Sequence, residues 1–224
     1  MNLTIIPARG GSKGVKKKNL QIINGKTLIE RAVIAAAKIP NNRIIVSSDD
    51  REILTSVSEY NVEALSRSKL NSSDSATSEA VILEVLSTIN DNFDLITLLQ
   101  ATSPFVDIEA WQSSLGYLQE HKEIGSIFSA IEKNEFIWEL TNYWSPVNHD
   151  KKIRLPRQQS KLSVIETGSF YIFRKELFEI EKSRFCGITE PRITQFWSSF
   201  DIDTLEDLEF CRKIAGVVDT FYVS

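Results

Sequence analysis

The sequence predicts an α/β protein built on a doubly wound, mostly parallel sheet. Three observations carry that prediction. Strand and helix patterns alternate from residue 2 to residue 132, the rhythm that lays helices over a parallel sheet. Residues 94–100, DLITLLQ, are almost continuously apolar, as a strand buried on both faces must be. Two helix starts are written as capping boxes, Thr27 with Glu30 and Thr204 with Asp207, in which a hydroxyl and a carboxylate satisfy backbone N–H groups reciprocally.

Taken in order, residues 2–6 (NLTII) form a strand and lead into a basic loop. Residues 27–38 form a helix, 43–48 a strand, 49–60 a helix and 62–66 a third strand. The helix over 77–89 places Val81, Ile82, Val85, Leu86 and Ile89 on one face. After the strand at 94–100, residues 107–121 carry Ile108, Trp111, Leu115 and Leu118 at helical spacing, and 126–132 form a strand. Near residue 133 the rhythm changes. FIWEL, YWSPVNHDKKIRLPRQQS and SFYIF predict short strands and an extended basic arm, an inserted segment over 133–170 of a single domain spanning 1–224. Residues 196–203 return to strand, and 204–216 form a last helix that Gly216 stops.

Composition narrows the function classes. The chain is 42% hydrophobic and 25% charged, ordinary for a globular protein. Its apolar runs, such as AVIAAA at 32–37, fall far short of the ~20 residues that span a bilayer. Neither a membrane segment nor a signal peptide is expected. A net charge of −4 argues against nucleic acid as a partner. Cys186 and Cys211 offer no disulfide framework and no metal spacing, so they read as reduced thiols of a cytoplasmic protein.

Against that acidic total, residues 7–19 (PARGGSKGVKKKN) hold Arg9, Lys13, Lys16, Lys17, Lys18, three glycines and no acid. The stretch lies between a strand and a helix, where backbone N–H groups hold phosphates. It is neither a Walker A loop nor a G-x-G-x-x-G fingerprint. A solvated loop serving solubility is the plain alternative. The glycines favour a polyanion, because solubility does not require a backbone that a ligand can approach closely.

Asp201 and Asp203 are the complement. On a strand they share a face, aspartate is poorly suited to strands, and a hard divalent cation, Mg²⁺, would neutralise the pair. The alternative is that Asp203 starts the next helix while Asp201 is solvated. In LLQATSPF (98–105), Gln100, Thr102 and Ser103 offer hydrogen-bonding groups at a strand end. RSKLNSSDSATS (67–78) sets Arg67 beside many hydroxyls and Asp74.

Together these stretches resemble the CMP-sialic acid synthetases, the acylneuraminate cytidylyltransferases. IIPARGGSKGVKKKN resembles the family's N-terminal signature, LLQATSPF its Leu-Leu-Gln-Pro-Thr-Ser-Pro segment, RLPRQQ with ETGSFYIF its Arg-Gln and Glu-Asn-Gly-Ala-Phe-Tyr region, and FDIDTLEDL its metal-binding end. The motifs stand in family order over nearly the whole chain. The resemblance implies a Rossmann-like nucleotidyltransferase fold and a reaction in which CTP and a nine-carbon α-keto acid sugar give CMP-sugar and pyrophosphate. Gly11 and Ser12 would approach the triphosphate, and Lys13 would neutralise charge in the transition state. Arg9, Lys18 and Asn19 match nucleotide-contacting positions. The Ala8 backbone, Asn19 and Arg67 would read the cytosine, and Ser78 the nucleotide. Asp201 and Asp203 would hold Mg²⁺. The sugar hydroxyl would lose its proton either through a metal-lowered pKa or to Asp203 as base. Gln100 and Tyr171 would contact the sugar. The inserted segment would build a homodimer, with Arg154 and Arg157 offered to the sugar carboxylate.

Three departures stand out. Ala101 replaces a proline, Thr167 replaces the asparagine of ETGSFY, and GVKKKN lacks a proline often found in the signature. Thr167, expected on the sugar side, weakens N-acetylneuraminic acid itself as substrate and leaves legionaminic, pseudaminic and deaminated acids. Pseudaminic acid ranks lower, because enzymes for it often carry arginine where Gly14 stands. A Kdo cytidylyltransferase would have a different loop after PAR. A silent nucleotide-sugar-binding domain, or a transferase for another base, are the remaining alternatives.

Overall fold

Alternation along the first strand, β1 (Asn2–Pro7), sets the layering. Leu3 and Ile5 enter one apolar core and Ile6 the other, so the strand is covered on both sides and must be central. The computed structural model describes residues 1–222 apart from 74, 91, 134 and 154–162. After β1 come the short pair β2 (Ile22–Ile23) and β3 (Lys26–Thr27), then β4 (Asn42–Ser48), β5 (Glu63–Ser66), β6 (Leu95–Leu99) and β7 (Ile124–Glu132). A second small pair follows, β8 (Trp138–Leu140) and β9 (Trp144–Pro146), and then β10 (Val164–Arg174) and β11 (Ile188–Ile193). Seven strands form the main sheet in the order β11-β7-β10-β6-β1-β4-β5. Every strand in it runs one way except β10, which is antiparallel to both β6 and β7.

Helices cover both faces. α1 (Leu28–Ala37), α2 (Arg51–Ser56) and α4 (Ile108–Glu120) bring Ile29, Val33, Ile53, Trp111 and Leu115 to one core. α3 (Ser78–Thr88) and α5 (Lys175–Glu181) bring Ile82, Val85 and Phe178 to the other. The doubly wound α/β architecture read from the sequence is therefore present. The Thr27–Glu30 box forms, with Thr27 N donating to Glu30 Oε2 at 2.8 Å and Glu30 N to Thr27 Oγ1 at 3.2 Å. α2 stops at Ser56 instead of 60, where Ser56 and Ser58 turn their hydroxyls back on the carbonyls of Ile53 and Thr55, a local competitor of helical bonding.

A third core joins the two ends of the chain. Val15 of the basic loop, Leu28, Phe105, Ile202 and residues Leu208, Cys211 and Ala215 of α6 (Leu205–Val218) pack together. α6 runs past Gly216, contrary to the expected stop. Val218 is buried, and Asp219 at the helix end is held by Arg31 Nη1 (3.0 Å) and Asn24 Nδ2 (2.8 Å), which extends the helix by the turn that glycine alone would end.

Two further expectations are corrected. Residues 196–203 are not a strand: Phe196–Ser199 form a 3₁₀ turn and 200–203 lie outside the sheet. β11 already occupies the edge beside β7, and Ile202 N bonds instead to Thr102 O at 3.0 Å. SFYIF, read as a short strand of the insertion, lies in the long interior strand β10, whose Phe170 and Ile172 face one core and Tyr171 and Phe173 the other. Both thiols are buried and free, and burial pushes each up to about 11. No helix among the described residues is long and apolar enough to cross a membrane.

Burial opposes the charge on Asp219, but the bonds from Arg31 and Asn24 outweigh it and hold its carboxyl below the ordinary value. Its contribution is present above the unfolded-state pKa and is lost as pH falls through the depressed folded value. In urea unfolding measured across pH, Asp219→Asn should lower stability at neutral pH and flatten the acid limb relative to the parent.

Candidate active site

Because β1, β4, β5 and β6 are parallel, their carboxyl ends share one edge of the sheet, the place where open α/β sheets bind ligands. The segments leaving those ends surround a cleft of about 370 Å³. From the first loop, Arg9, Ser12, Lys13, Lys18 and Asn19 line it; from later segments, Arg67, Ser78, Gln100, Thr102 and Asp203 do. Ten sequence-selected residues are thus gathered around one cavity.

The basic loop has a fixed course. Lys17 adopts a left-handed conformation at φ 50°, and Asn19 Nδ2 reaches back to the Arg9 carbonyl at 2.9 Å. Gly10 N donates to Asp49 Oδ1 at 3.0 Å, and a Cβ at Gly10 would lie 2.7 Å from that of Asp50. Lys17 turns away to pair with Glu52, and Lys16 is exposed and outside the lining. Arg9, Lys13 and Lys18 are therefore the loop cations presented to the cleft. The clamp formed by Asp49, Asp50 and Glu52 was missed in the sequence. Its signal was present: SSDDRE ends the neighbouring strand and supplies the acids the basic loop lacks.

The loop closes on the segment 200–203. A Cβ at Gly14 would stand 2.0 Å from the Asp203 carbonyl oxygen. Lys18 Nζ donates to the Ile202 carbonyl at 2.6 Å and to Asp203 Oδ1 at 2.9 Å. The two aspartates are not equivalent, as a shared strand face had implied. Asp203 is exposed and lines the cleft, whereas Asp201 is mostly buried and does not. Burial pushes the Asp201 carboxyl up, a hydrogen bond from Thr102 opposes this, and the nearby charge of Asp203 adds to the rise. Asp201 Oδ1 is buried with no hydrogen-bond partner. An oxygen so placed, beside a second carboxylate, suits a hard cation. Among the described residues no cluster of three or more His, Cys, Asp or Glu gathers. A cation here would take two protein carboxylates and complete its shell with ligand oxygens and water, the habit of Mg²⁺.

Arg67 lines the cleft just beyond the end of β5. It is buried, Nε donates to Ser47 Oγ at 3.2 Å, and Nη2 donates to the Ser47 carbonyl. Burial lowers its pKa. Ala8 N donates to the same Ser47 carbonyl at 2.9 Å, and Ala8 is fully buried behind the lining. Gly11 is exposed, with open space where a Cβ would point, and it too is outside the lining. Ser78 is the first residue of α3, whose N-cap Thr77 also lines the cleft with Asn71 and Ser73. These three polar residues were not singled out, since each alone reads as an ordinary loop or cap residue.

On the expected sugar side, Gln100 lines the cleft and its N–H bonds to the Ser169 carbonyl at 3.0 Å. Tyr171 does not line the cleft. It is 3% exposed, bonded through its hydroxyl to Glu166, with Arg184 4.8 Å above its ring. Ser103 is buried as well. Thr167 is buried between β10 and β7, donating to Ser129 Oγ at 2.7 Å, so its hydroxyl is used in the fold and not turned to a ligand. Arg154 and Arg157 lie outside the described residues.

A mostly parallel sheet with a cationic glycine loop and an aspartate pair at its carboxyl edge is suited to a phosphate-bearing ligand. Two solved structures share the fold: CMP:2-keto-3-deoxy-manno-octonic acid synthetase complexed with CTP (TM-score 0.74, 16% identity, 96% of this chain and 98% of that one) and 4-diphosphocytidyl-2C-methyl-D-erythritol synthase from Anaerococcus prevotii (TM-score 0.68, 14% identity, 96% of each). The family described as Cytidylyltransferase matches residues 3–222, and the chain belongs to it. It is similar to pseudaminic acid cytidylyltransferase of Campylobacter jejuni, 30% identical with 96% of this chain and 97% of the relative covered. It is also similar to N-acylneuraminate cytidylyltransferase of Streptococcus agalactiae, 30% identical over 92% of this chain and 51% of that longer protein. The chain is thus a nucleotidyltransferase enzyme of the cytidylyltransferase family, in accord with the motif resemblance.

Gly14→Ala tests the closure. The added methyl must push the loop and the Asp203 backbone apart. Stability in urea should fall by about 1–3 kcal/mol, and turnover should fall at least about tenfold from misplacement of the loop and Asp203.

Proposed function

We propose that the chain transfers CMP from CTP to the anomeric hydroxyl of a nine-carbon α-keto acid sugar of the sialic acid class, in a Mg²⁺-dependent reaction. The observation that carries this reading is the closure of the cationic loop on the Asp201–Asp203 segment beside Arg67. Relatives named for pseudaminic acid and N-acylneuraminate at the same 30% identity supply the sugar class. The sugar hydroxyl oxygen forms a bond to the α-phosphorus as the α,β-bridging P–O bond breaks; pyrophosphate leaves, and the hydroxyl proton passes to Asp203 or, with its pKa lowered by the metal, to water. Lys13, Arg9 and Lys18 balance charge on the phosphates. Arg67 and Asn19 hold the base, Ser78 the nucleotide, and Gln100 orients the sugar. Asp201 and Asp203 would hold Mg²⁺, which when bound would raise the electrophilicity of phosphorus. Most of the rate enhancement is then positioning and charge neutralisation.

The relatives do not order the sugars: those named for pseudaminic acid and for N-acylneuraminate stand at the same 30% identity. The likeness to the octonic acid synthetase is one of fold at 16% identity. We propose a homodimer as well. The β8–β9 hairpin exposes Trp138, Leu140, Tyr143 and Trp144 at 44%, 58%, 72% and 62%, an apolar surface of the kind proteins cover. Arg154 and Arg157 keep their proposed role at the sugar carboxylate. The buried thiols fit a reducing, cytoplasmic setting.

Pyrophosphate release from CTP and Mg²⁺ against N-acetylneuraminic, legionaminic, pseudaminic, deaminated neuraminic and Kdo acids tests the reaction. One nonulosonic acid should support turnover, with CTP preferred over UTP. Release with none of them, while CTP still binds, would leave a nucleotide-sugar-binding domain as the better account. Lys13→Ala should lower kcat by about 10²-fold or more with little change in CTP affinity; an effect on affinity alone contradicts its assigned role.

A further inference from the structure

We propose that Lys18 is a cation latch on the metal site: its ammonium holds Asp203 in the free enzyme and gives it up to the metal when a triphosphate takes the ammonium. This rests on the reading of Asp201 and Asp203 as metal ligands. The geometry singles out Lys18 among the loop cations. Its side chain is 13% exposed while that of its partner Asp203 is 76% exposed. The lysine is the anchored member and the aspartate the movable one, the reverse of a surface pair in which a long lysine wanders.

The anchoring has a cause. Lys18 follows the left-handed Lys17 and opens the short turn whose Asn19 is tied to the Arg9 carbonyl. Its ammonium has three donors. One is fixed on the Ile202 carbonyl at 2.6 Å and one on Asp203 Oδ1 at 2.9 Å. The group also borders the cleft with Arg9 and Lys13, where it can meet a phosphate.

Two consequences follow from charge. Asp201 and Asp203 interact repulsively, and the ammonium offsets that repulsion in the free enzyme. The same ammonium repels a divalent ion approaching Asp203. A metal alone therefore binds poorly, and nucleotide and metal are admitted together. Phosphate oxygens can draw the ammonium off Asp203 while bridging to the metal.

The test titrates the full chain with Mn²⁺ alone, without nucleotide, following free Mn²⁺ by electron paramagnetic resonance. Lys18→Met and Lys18→Gln should each bind Mn²⁺ about fivefold or more tighter than the parent. Lys18→Gln can still donate to the Ile202 carbonyl, so it guards against a loop that fails to fold around methionine. Asp201→Asn with Asp203→Asn should lose the site. Equal or weaker Mn²⁺ binding in both Lys18 variants, with loss in the double asparagine variant, overturns the latch and leaves the metal reading standing. Undiminished Mn²⁺ binding in the double asparagine variant overturns the metal reading, and the latch with it.

Discussion

Gly14 and Asp203 lie so close that a single added carbon has no room between the loop and the Asp203 carbonyl. This contact brings the cationic first loop and the last acidic segment, nearly 190 residues apart in sequence, into one wall. It is backed by the core of Val15, Ile202 and Leu208 and fastened by the Lys18 bonds to Ile202 and Asp203. Without it, cations and carboxylates would occupy separate surfaces, and no common point would be left at which a phosphate could bridge them.

The loop's positive charge is divided by its folding. Gly10 and Lys17 are given to Asp49 and Glu52, which hold the loop against the end of β4. Arg9, Lys13 and Lys18 face the cleft. An acidic protein can thus carry a strongly cationic pocket, because the neighbouring acids are used as struts. The Arg67 side of the cleft rests on strand ends and hydrogen bonds, such as those of Arg67 to Ser47. β10 inverts the sheet's direction beside β6, and Gln100 at the end of β6 is tied to it through the Ser169 carbonyl.

The parallel half of the fold was legible because its signals are local. Caps, helical spacing and the apolar run of β6 lie within a few residues of what they specify. Most of the cleft lining was legible for the same reason, since a loop between strand and helix stands at the ligand-binding edge of such a sheet. The failures lie where distant contacts decide. Gly216 signals a stop, but Asp219 is held by Arg31 from α1. Residues 196–203 have a strand-like pattern, but β11 holds the edge and Ile202 pairs with Thr102. Asp201 and Asp203 were paired on a strand face that does not exist; they stand in irregular chain, one half-buried and one exposed. The hydroxyls of Tyr171 and Thr167 are bonded to Glu166 and Ser129, contacts that a motif's position alone does not show.

The most direct measurement is the anomalous diffraction of Mn²⁺ in crystals grown with CTP. The account predicts a peak within bonding distance of the freed Asp203 carboxylate, the unpartnered Asp201 oxygen and a phosphate oxygen, with the triphosphate lying along Arg9, Lys13 and Lys18. A Mn²⁺ ion bound to the nucleotide but remote from both aspartates would contradict the claim that loop and acidic segment close to form one phosphate-transferring site.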